Sequence, residues 1–170
     1  MNRRVLVLGG ARSGKSRHAE GLADVRSGRR LYVATAEPGD SEMQIRIDEH
    51  RARRGKSWLT LEEPVYLSEL LRKECRSDRF VLVDCITLWI SNLMHQGMEV
   101  QPAIAELCTL IPRLEGQVLF VSNEVGQGIV PDNELARRFR DEAGFANQQI
   151  AEACDEVIFL IAGLPHRLKG

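Results

Sequence analysis

A single-domain α/β fold built on a parallel sheet is what this chain predicts, on three observations. Its apolar runs are short, rich in β-branched residues and unbroken, which is how strands read when both sheet faces are covered. Helical spacing fills the stretches between them, so strands and helices alternate with right-handed crossovers. The length of 170 residues suits one domain, and no repeat, low-complexity tract or linker divides it.

The elements follow in order. VLVLG at 5–9 is the first strand and leads through GGARSGKS at 9–16 into a helix starting near Lys15. RLYVAT at 30–35 is the second strand. The segment 36–64 breaks the rhythm: after AEPGD comes a polar, arginine-rich helix candidate, SEMQIRIDEHRARR, then GKSW and LTLEEP. It reads as an insertion between the second and third strands, where a rigid sheet tends to carry function. FVLVDC at 80–85 is the third strand, followed by the helix ITLWISNL. Over 102–114 the residues Ile104, Leu107, Ile111 and Leu114 fall on one helix face. QVLFVS at 117–122 is the fourth strand. Over 133–153 Leu135, Phe139, Ala143, Ala146 and Ile150 form another apolar face, behind a Pro131-Asp132 start signal. EVIFLIAG at 156–163 closes the sheet.

Composition excludes several classes. Apolar residues at 44% and charged residues at 28% are globular values, which removes disordered and fibrous proteins. A net charge of -1 argues against a chain whose main task is gripping nucleic acid. No apolar run is long enough to span a bilayer, and the N-terminus turns glycine-rich too soon for a signal peptide. The cysteines Cys75, Cys85, Cys108 and Cys154 form no C-x-x-C pair and no zinc spacing, so they read as small buried hydrophobes in a reducing compartment. A cytoplasmic enzyme is the expectation.

GGARSGKS matches G-x-x-x-x-G-K-[ST] between a strand and a helix. Gly9 and Gly14 are expected to allow backbone angles that turn the loop N–H groups inward around phosphate oxygens. Lys15 is placed to reach the β- and γ-phosphates, and the Ser16 hydroxyl to ligate Mg²⁺. Asp84 ends an apolar strand, where open α/β sheets hold ligands, and can join Ser16 at the metal; capping the helix behind it is the alternative. Glu124 stands at the same edge, either orienting a nucleophile or bonding loop backbone. Glu62 and Glu63 either bond ribose or base, or line the surface.

Written as a helix, the insertion puts Arg46, His50 and Arg54 on one face, with Arg53 close to it and Arg51 a quarter-turn away. A solvated basic face is the ordinary fate of such a run. In a phosphate-binding chain, however, arginine forks suit phosphate oxygens, and cationic neighbours hold a histidine neutral and nucleophilic. His50 is therefore the candidate covalent catalyst. His18, His95 and His166 compete weakly, having no such cluster around them.

Through these residues the whole chain resembles the bifunctional adenosylcobinamide kinase / adenosylcobinamide-phosphate guanylyltransferase family of cobalamin biosynthesis. The likeness runs through GGARSGKSRHAE at 9–20, YVATAE at 32–37, RIDEHRARR at 46–54 and W-x-T-x-E at 58–62. It continues in VDCITLWISNL at 83–93, SNEVGQGIVPDNELARRFRDEAGFANQQIA at 122–151 and the tail IAGLPHRLKG. The resemblance implies a P-loop NTPase (RecA-like) fold and a two-step enzyme. ATP or GTP would phosphorylate the aminopropanol hydroxyl of adenosylcobinamide, and GTP would then pass GMP through a guanylyl-histidine to the product. The family's histidine matches His50. Its nucleotide contacts match Gly9, Gly10, Ala11, Arg12, Ser13, Gly14, Lys15, Ser16, Ala34, Thr35, Ala36, Arg51, Ala52, Arg53, Arg54, Glu62 and Asp84. A divalent cation such as Mg²⁺ at Ser16 and Asp84, a corrinoid substrate and a homotrimer are also implied. Some relatives carry glutamate at the position of Asp84 and histidine at that of Glu49, so here His50 is the sole nucleophile of its segment. A kinase for another small metabolite, without nucleotidyl transfer, is the rival. A GTPase switch is disfavoured because no N-K-x-D string occurs.

Overall fold

The computed structural model describes residues 2–23, 28–37, 39 and 57–170. The segment with His50, Arg51, Ala52, Arg53 and Arg54 lies outside the described residues. The strands are β1 (Arg3–Gly9), β2 (Arg29–Ala34), β3 (Trp58–Glu62), β4 (Arg79–Asp84), β5 (Gln117–Asn123), β6 (Glu156–Ile161) and β7 (Leu164–Lys169). Among the described residues the helices are α1 (Lys15–Gly21), α2 (Leu67–Glu74), α3 (Ile86–His95), α4 (Val100–Leu110) and α5 (Glu134–Ala153), with a 3-10 turn at Ile111–Arg113. They form one seven-stranded sheet in the order β3-β2-β4-β5-β1-β6-β7. Every pairing is parallel except that of β6 with β7.

The unbroken apolar runs have their cause in two cores. Leu6, Leu8, Val81, Val83, Val118 and Phe120 face the helices α2 to α5, meeting Leu71, Trp89, Ile104 and Ile150. Their strand neighbours Val5, Val7, Phe80, Leu82, Leu119 and Val121 face the other side, where Ala19 of α1 packs. Successive side chains point to opposite faces, so a strand apolar at every position needs cover on both. Burial also pushes the Cys75 and Cys154 thiols up to about 12 and Cys85 to about 11, which keeps all three protonated and inert at neutral pH.

Several expectations change. LTLEEP is not all insertion: Trp58–Glu62 is the edge strand β3, paired with β2, and Leu59 on its outer side is exposed. Trp58 anchors it by edge-on contacts with Tyr32 and Phe80, at centroid distances of 6.3 and 5.8 Å. Helix α2 was not foreseen; it is short, and only Leu67, Ser68 and Leu71 are buried. The helix expected over 102–114 tightens after Leu110, although Ile111 and Leu114 stay buried as foreseen. Asn133, rather than Pro131-Asp132, starts α5, its side chain accepting from the Ala136 N–H at 2.7 Å. Leu135, expected on the apolar face, is exposed.

The tail is a hairpin. Ala162 and Gly163 both have positive φ, 51° and 81°, as a type I′ turn requires, and β7 returns antiparallel along β6. Lys169, at its end, donates to the carbonyls of Ala151, Glu152 and Cys154 at 2.9, 2.8 and 2.6 Å. These are carbonyls at the end of α5 that lack helical partners, and a cation also suits the negative end of the helix. Lys169→Ala should therefore lower stability by about 1 kcal/mol, a fall in Tm of about 2–4 °C by calorimetry. An unchanged Tm would show that water caps the helix equally well.

Candidate active site

The carboxyl ends of β1, β4 and β2 converge on one edge of the sheet. Gly9 pairs with Asn123 across β1 and β5, and Asp84 pairs with Ala34 on one side and Val121 on the other. The GGARSGKS loop leaves β1 there and enters α1 at Lys15. Its Gly9 and Gly14 serve different needs. Gly14 has φ +91°, the left-handed angle expected of it. Gly9 is ordinary extended strand, so its requirement is space and not angle: a Cβ there would strike the Ser13 side chain and lie 2.9 Å from the Leu160 carbonyl oxygen.

Hydrogen bonds hold the loop curled. Ser13 N–H donates to Gly10 O at 3.3 Å, and His18 N–H to Gly14 O at 2.9 Å. The hairpin turn braces it from outside, Gly163 N–H donating to Ser13 O at 2.9 Å. The Ser13 hydroxyl is buried without a partner, a donor available to an anion. Lys15 is only 9% exposed, and its ammonium donates to Gly10 O at 3.1 Å. Burial pulls its pKa below the ordinary lysine value, and the nearby Asp84 carboxylate opposes that pull.

Asp84 accepts a hydrogen bond from the Tyr32 hydroxyl at 3.0 Å. It does not cap the following helix, whose N-cap position is Cys85 with no side-chain cap. Glu124 bonds loop backbone, accepting from Gly126 N–H at 2.6 Å. Glu63 accepts from the N–H groups of Val65 and Tyr66 at 2.9 and 2.7 Å, which makes it a turn-former. Glu62 ends β3 beside Ala34, exposed at the same carboxyl edge. Among the other histidines, His18 lines a cavity with Arg3, Glu156 and Arg167, near the opposite end of β1. His95 lies within 3.5 Å of the Ser91 hydroxyl, and His166 is on the exposed β7.

A buried polar lattice ties these strand ends together, and sequence reasoning missed it. The Thr35 hydroxyl donates to Cys85 O at 2.7 Å and accepts from Cys85 N–H at 2.8 Å. Asn92 Nδ2 donates to Thr35 O at 2.7 Å and Pro64 O at 3.1 Å. The Thr87 hydroxyl accepts from the Asn123 backbone N–H and Nδ2 at 2.8 and 3.0 Å, and Asn147 Nδ2 donates to Asn123 O at 3.1 Å. Thr35 is completely buried, so its hydroxyl positions the residue after Asp84. Thr35→Val keeps the shape but strands both Cys85 groups, which should cost about 2 kcal/mol and about 4–8 °C in Tm. Thr35→Ser should recover most of that in the same thermal melt; equal losses in the two variants would refute the assignment to the hydroxyl.

A curled glycine loop at a helix start, a buried lysine and a carboxylate on the next strand but one make a site for transferring phosphoryl groups from a nucleoside triphosphate. Among solved structures, the chain is similar to an ATPase from the type III secretion system of pathogenic bacteria, with a TM-score of 0.58 at 10% identity. That alignment covers 97% of this chain and 56% of the ATPase chain, and it supports the P-loop fold alone. Closer relatives are found by sequence. The bifunctional adenosylcobalamin biosynthesis protein CobP of Pseudomonas aeruginosa is 50% identical over 169 residues, covering 98% of each chain. The bifunctional adenosylcobalamin biosynthesis protein CobU of Escherichia coli is 42% identical, covering 97% of this chain and 99% of that one. The profile of the cobinamide kinase / cobinamide phosphate guanyltransferase family matches residues 5–168, from the first strand of the sheet to its last, and the chain belongs to that family.

Proposed function

We propose that the chain phosphorylates the aminopropanol hydroxyl of adenosylcobinamide with ATP or GTP, and then transfers GMP from GTP to the product through a covalent guanylyl-histidine at His50. The end-to-end family match carries this reading, and the geometry around Lys15 supports it.

In the first step the acceptor hydroxyl oxygen attacks the γ-phosphorus and releases its proton to solvent, the bond from that phosphorus to the β–γ bridging oxygen breaks, and the nucleoside diphosphate leaves. Backbone N–H groups of the loop 9–16 hold the triphosphate, and Lys15 absorbs charge on the transferred group. Ser16 and Asp84 fit a Mg²⁺ ion, because a hydroxyl and one carboxylate are the hard oxygen donors that it takes beside phosphates and water. When bound, the ion supplies positive charge to the phosphate oxygens. In the second step the His50 imidazole attacks the α-phosphorus of GTP and pyrophosphate leaves. The phosphate of adenosylcobinamide phosphate then displaces the imidazole and forms adenosylcobinamide-GDP. Arg51, Arg53 and Arg54 supply guanidinium forks for the departing pyrophosphate. Ala34 and Ala36 offer backbone groups and Glu62 a carboxylate to the nucleoside, at the strand ends beside Asp84. A homotrimer working in the cytoplasm belongs to the same reading.

The test is a paired label. With adenosylcobinamide present, γ-labelled ATP or GTP should transfer label to the corrinoid. With GTP alone, α label should become attached to the protein. Phosphoryl transfer without any protein-bound GMP would instead identify a kinase for a small metabolite that lacks nucleotidyl transfer.

A further inference from the structure

Helix α5 runs well past the carboxyl edge of the sheet. It ends near the opposite edge, where Asp155 N–H donates to Arg4 O at 2.9 Å, and at Asn147 it is level with the top of β5 through the bond to Asn123 O. From Asn147 back to its start the helix continues in the same direction for roughly 20 Å, at about 1.5 Å per residue. The connection 124–133 climbs that height, starting beside the phosphate loop, where Glu124 N–H donates to Gly9 O at 3.1 Å.

This connection is pinned at both ends. Glu124 accepts from Gly126 N–H at its foot, and at its top Arg137 donates to the carbonyls of Pro131 and Asp132 at 2.9 and 2.8 Å. Yet it and the first turn of α5 hold large apolar side chains in solvent: Ile129 is 98% exposed, Val130 62% and, on α5, Leu135 59%. Next to Leu135, a cavity of about 220 Å³ opens between the last turn of α3 and the first turns of α5. Met94 and Phe139 make its apolar wall, and Ser91, His95 and Asn133 bring polar atoms. An exposed apolar surface beside a cavity with a few convergent polar groups is the pattern of a ligand site.

We propose that the face carrying Ile129, Val130 and Leu135, with the adjoining cavity, docks the corrin ring of the cobinamide substrate. This rests on the kinase reading above. That reading requires a large acceptor whose hydroxyl reaches the phosphate loop while its bulk lies elsewhere. A corrin is a broad macrocycle with methyl-covered faces and a rim of neutral amides. Its faces match the exposed aliphatic side chains, and its amides match the hydroxyl, imidazole and carboxamide of the cavity. The connection that bears this face starts beside the phosphate loop, where Glu124 N–H donates to Gly9 O at 3.1 Å, so the hydroxyl-bearing side chain would point down toward that foot.

The test uses the intact protein with Ile129→Asp and Leu135→Asp, both at exposed positions. Cobinamide binding is followed by equilibrium dialysis and the visible absorption of the corrin, GTP binding is followed in parallel, and the assembly size is measured by sedimentation. The expected result is a rise of at least tenfold in the cobinamide Kd and in its KM as acceptor, with the GTP Kd unchanged. Cobinamide binding within twofold of the parent in both variants would overturn the proposal. If the variants then sediment as a smaller assembly, a second copy of the chain covers this face. Parent protein that phosphorylates cobinamide while both variants bind it normally leaves the proposed function standing and removes only the surface. Parent protein that binds cobinamide at this face without phosphorylating it does the reverse.

Discussion

Lys15→Ala is expected to lower both phosphoryl transfer and GMP transfer by about 10²-fold or more, since a preorganised charged donor is lost from both reactions. The loss should be large because Lys15 is almost wholly buried beside the loop, donating to Gly10 O at 3.1 Å with Asp84 as its nearby counter-charge. Water entering the space left by the side chain cannot supply a fixed positive charge, and Asp84 loses the cation that balances it. Lys15→Arg should not rescue the activity, because a guanidinium is too large and planar for a position only 9% exposed. The same burial gives a pH effect of definite sign. Burial lowers the pKa of the unliganded lysine, whereas a bound triphosphate favours the charged form and raises it. Nucleotide binding is then coupled to proton uptake as pH rises through the free lysine's lowered pKa, and affinity falls over that range. Titration calorimetry in buffers of different ionisation heat checks this, and near-parent rates for Lys15→Ala in both assays would remove Lys15 from the shared site.

What the sequence disclosed follows from how locally each feature is encoded. VLVLG and FVLVDC were legible because strands covered on both faces are apolar at consecutive positions. The edge strands carry no such mark. β3 has only partly buried residues beside exposed ones, and every residue of β7 is exposed, with Pro165 allowed because it lies at the margin of the sheet. The Gly163 turn is made by positive φ at Ala162, a residue type that gives no warning of it.

The site divides in the same way. The phosphate loop and Asp84 were readable because a contiguous motif and a strand end announce them. The polar lattice was not, since Asn92 reaches Thr35 over 57 positions, Asn123 reaches Thr87 over 36, and Asn147 reaches Asn123 over 24. Only the folded sheet brings those groups together. Glu63 and Glu124 show the converse: their position suggested ligands, and their carboxylates serve neighbouring backbone N–H groups.

His50→Ala should abolish uptake of GMP from GTP alone while phosphorylation of adenosylcobinamide continues. The two activities separate at this residue because attack on the γ-phosphorus needs the loop, Lys15 and Asp84 but no imidazole, whereas the covalent intermediate needs a nitrogen nucleophile. Among the described histidines, His18 is directed to the cavity with Arg3 and Glu156, and His95 and His166 lie away from the phosphate loop. Burial lowers the pKa of His18, with Glu156 opposing, so neutrality alone does not select the nucleophile; position does. In the parent protein, GMP should be bound by a phosphorus–nitrogen bond that is labile in acid and comparatively stable in base, and pyrophosphate should appear in equal amount without any corrinoid. His50→Asn repeats the test with less change in volume and some hydrogen bonding retained. Mass spectrometry of the peptide spanning 41–54, before and after acid treatment, locates the adduct. A GMP adduct of phosphoramidate stability in either variant would place the nucleophile elsewhere, and His18→Ala would be the next variant to examine, for its closeness in sequence to the phosphate loop.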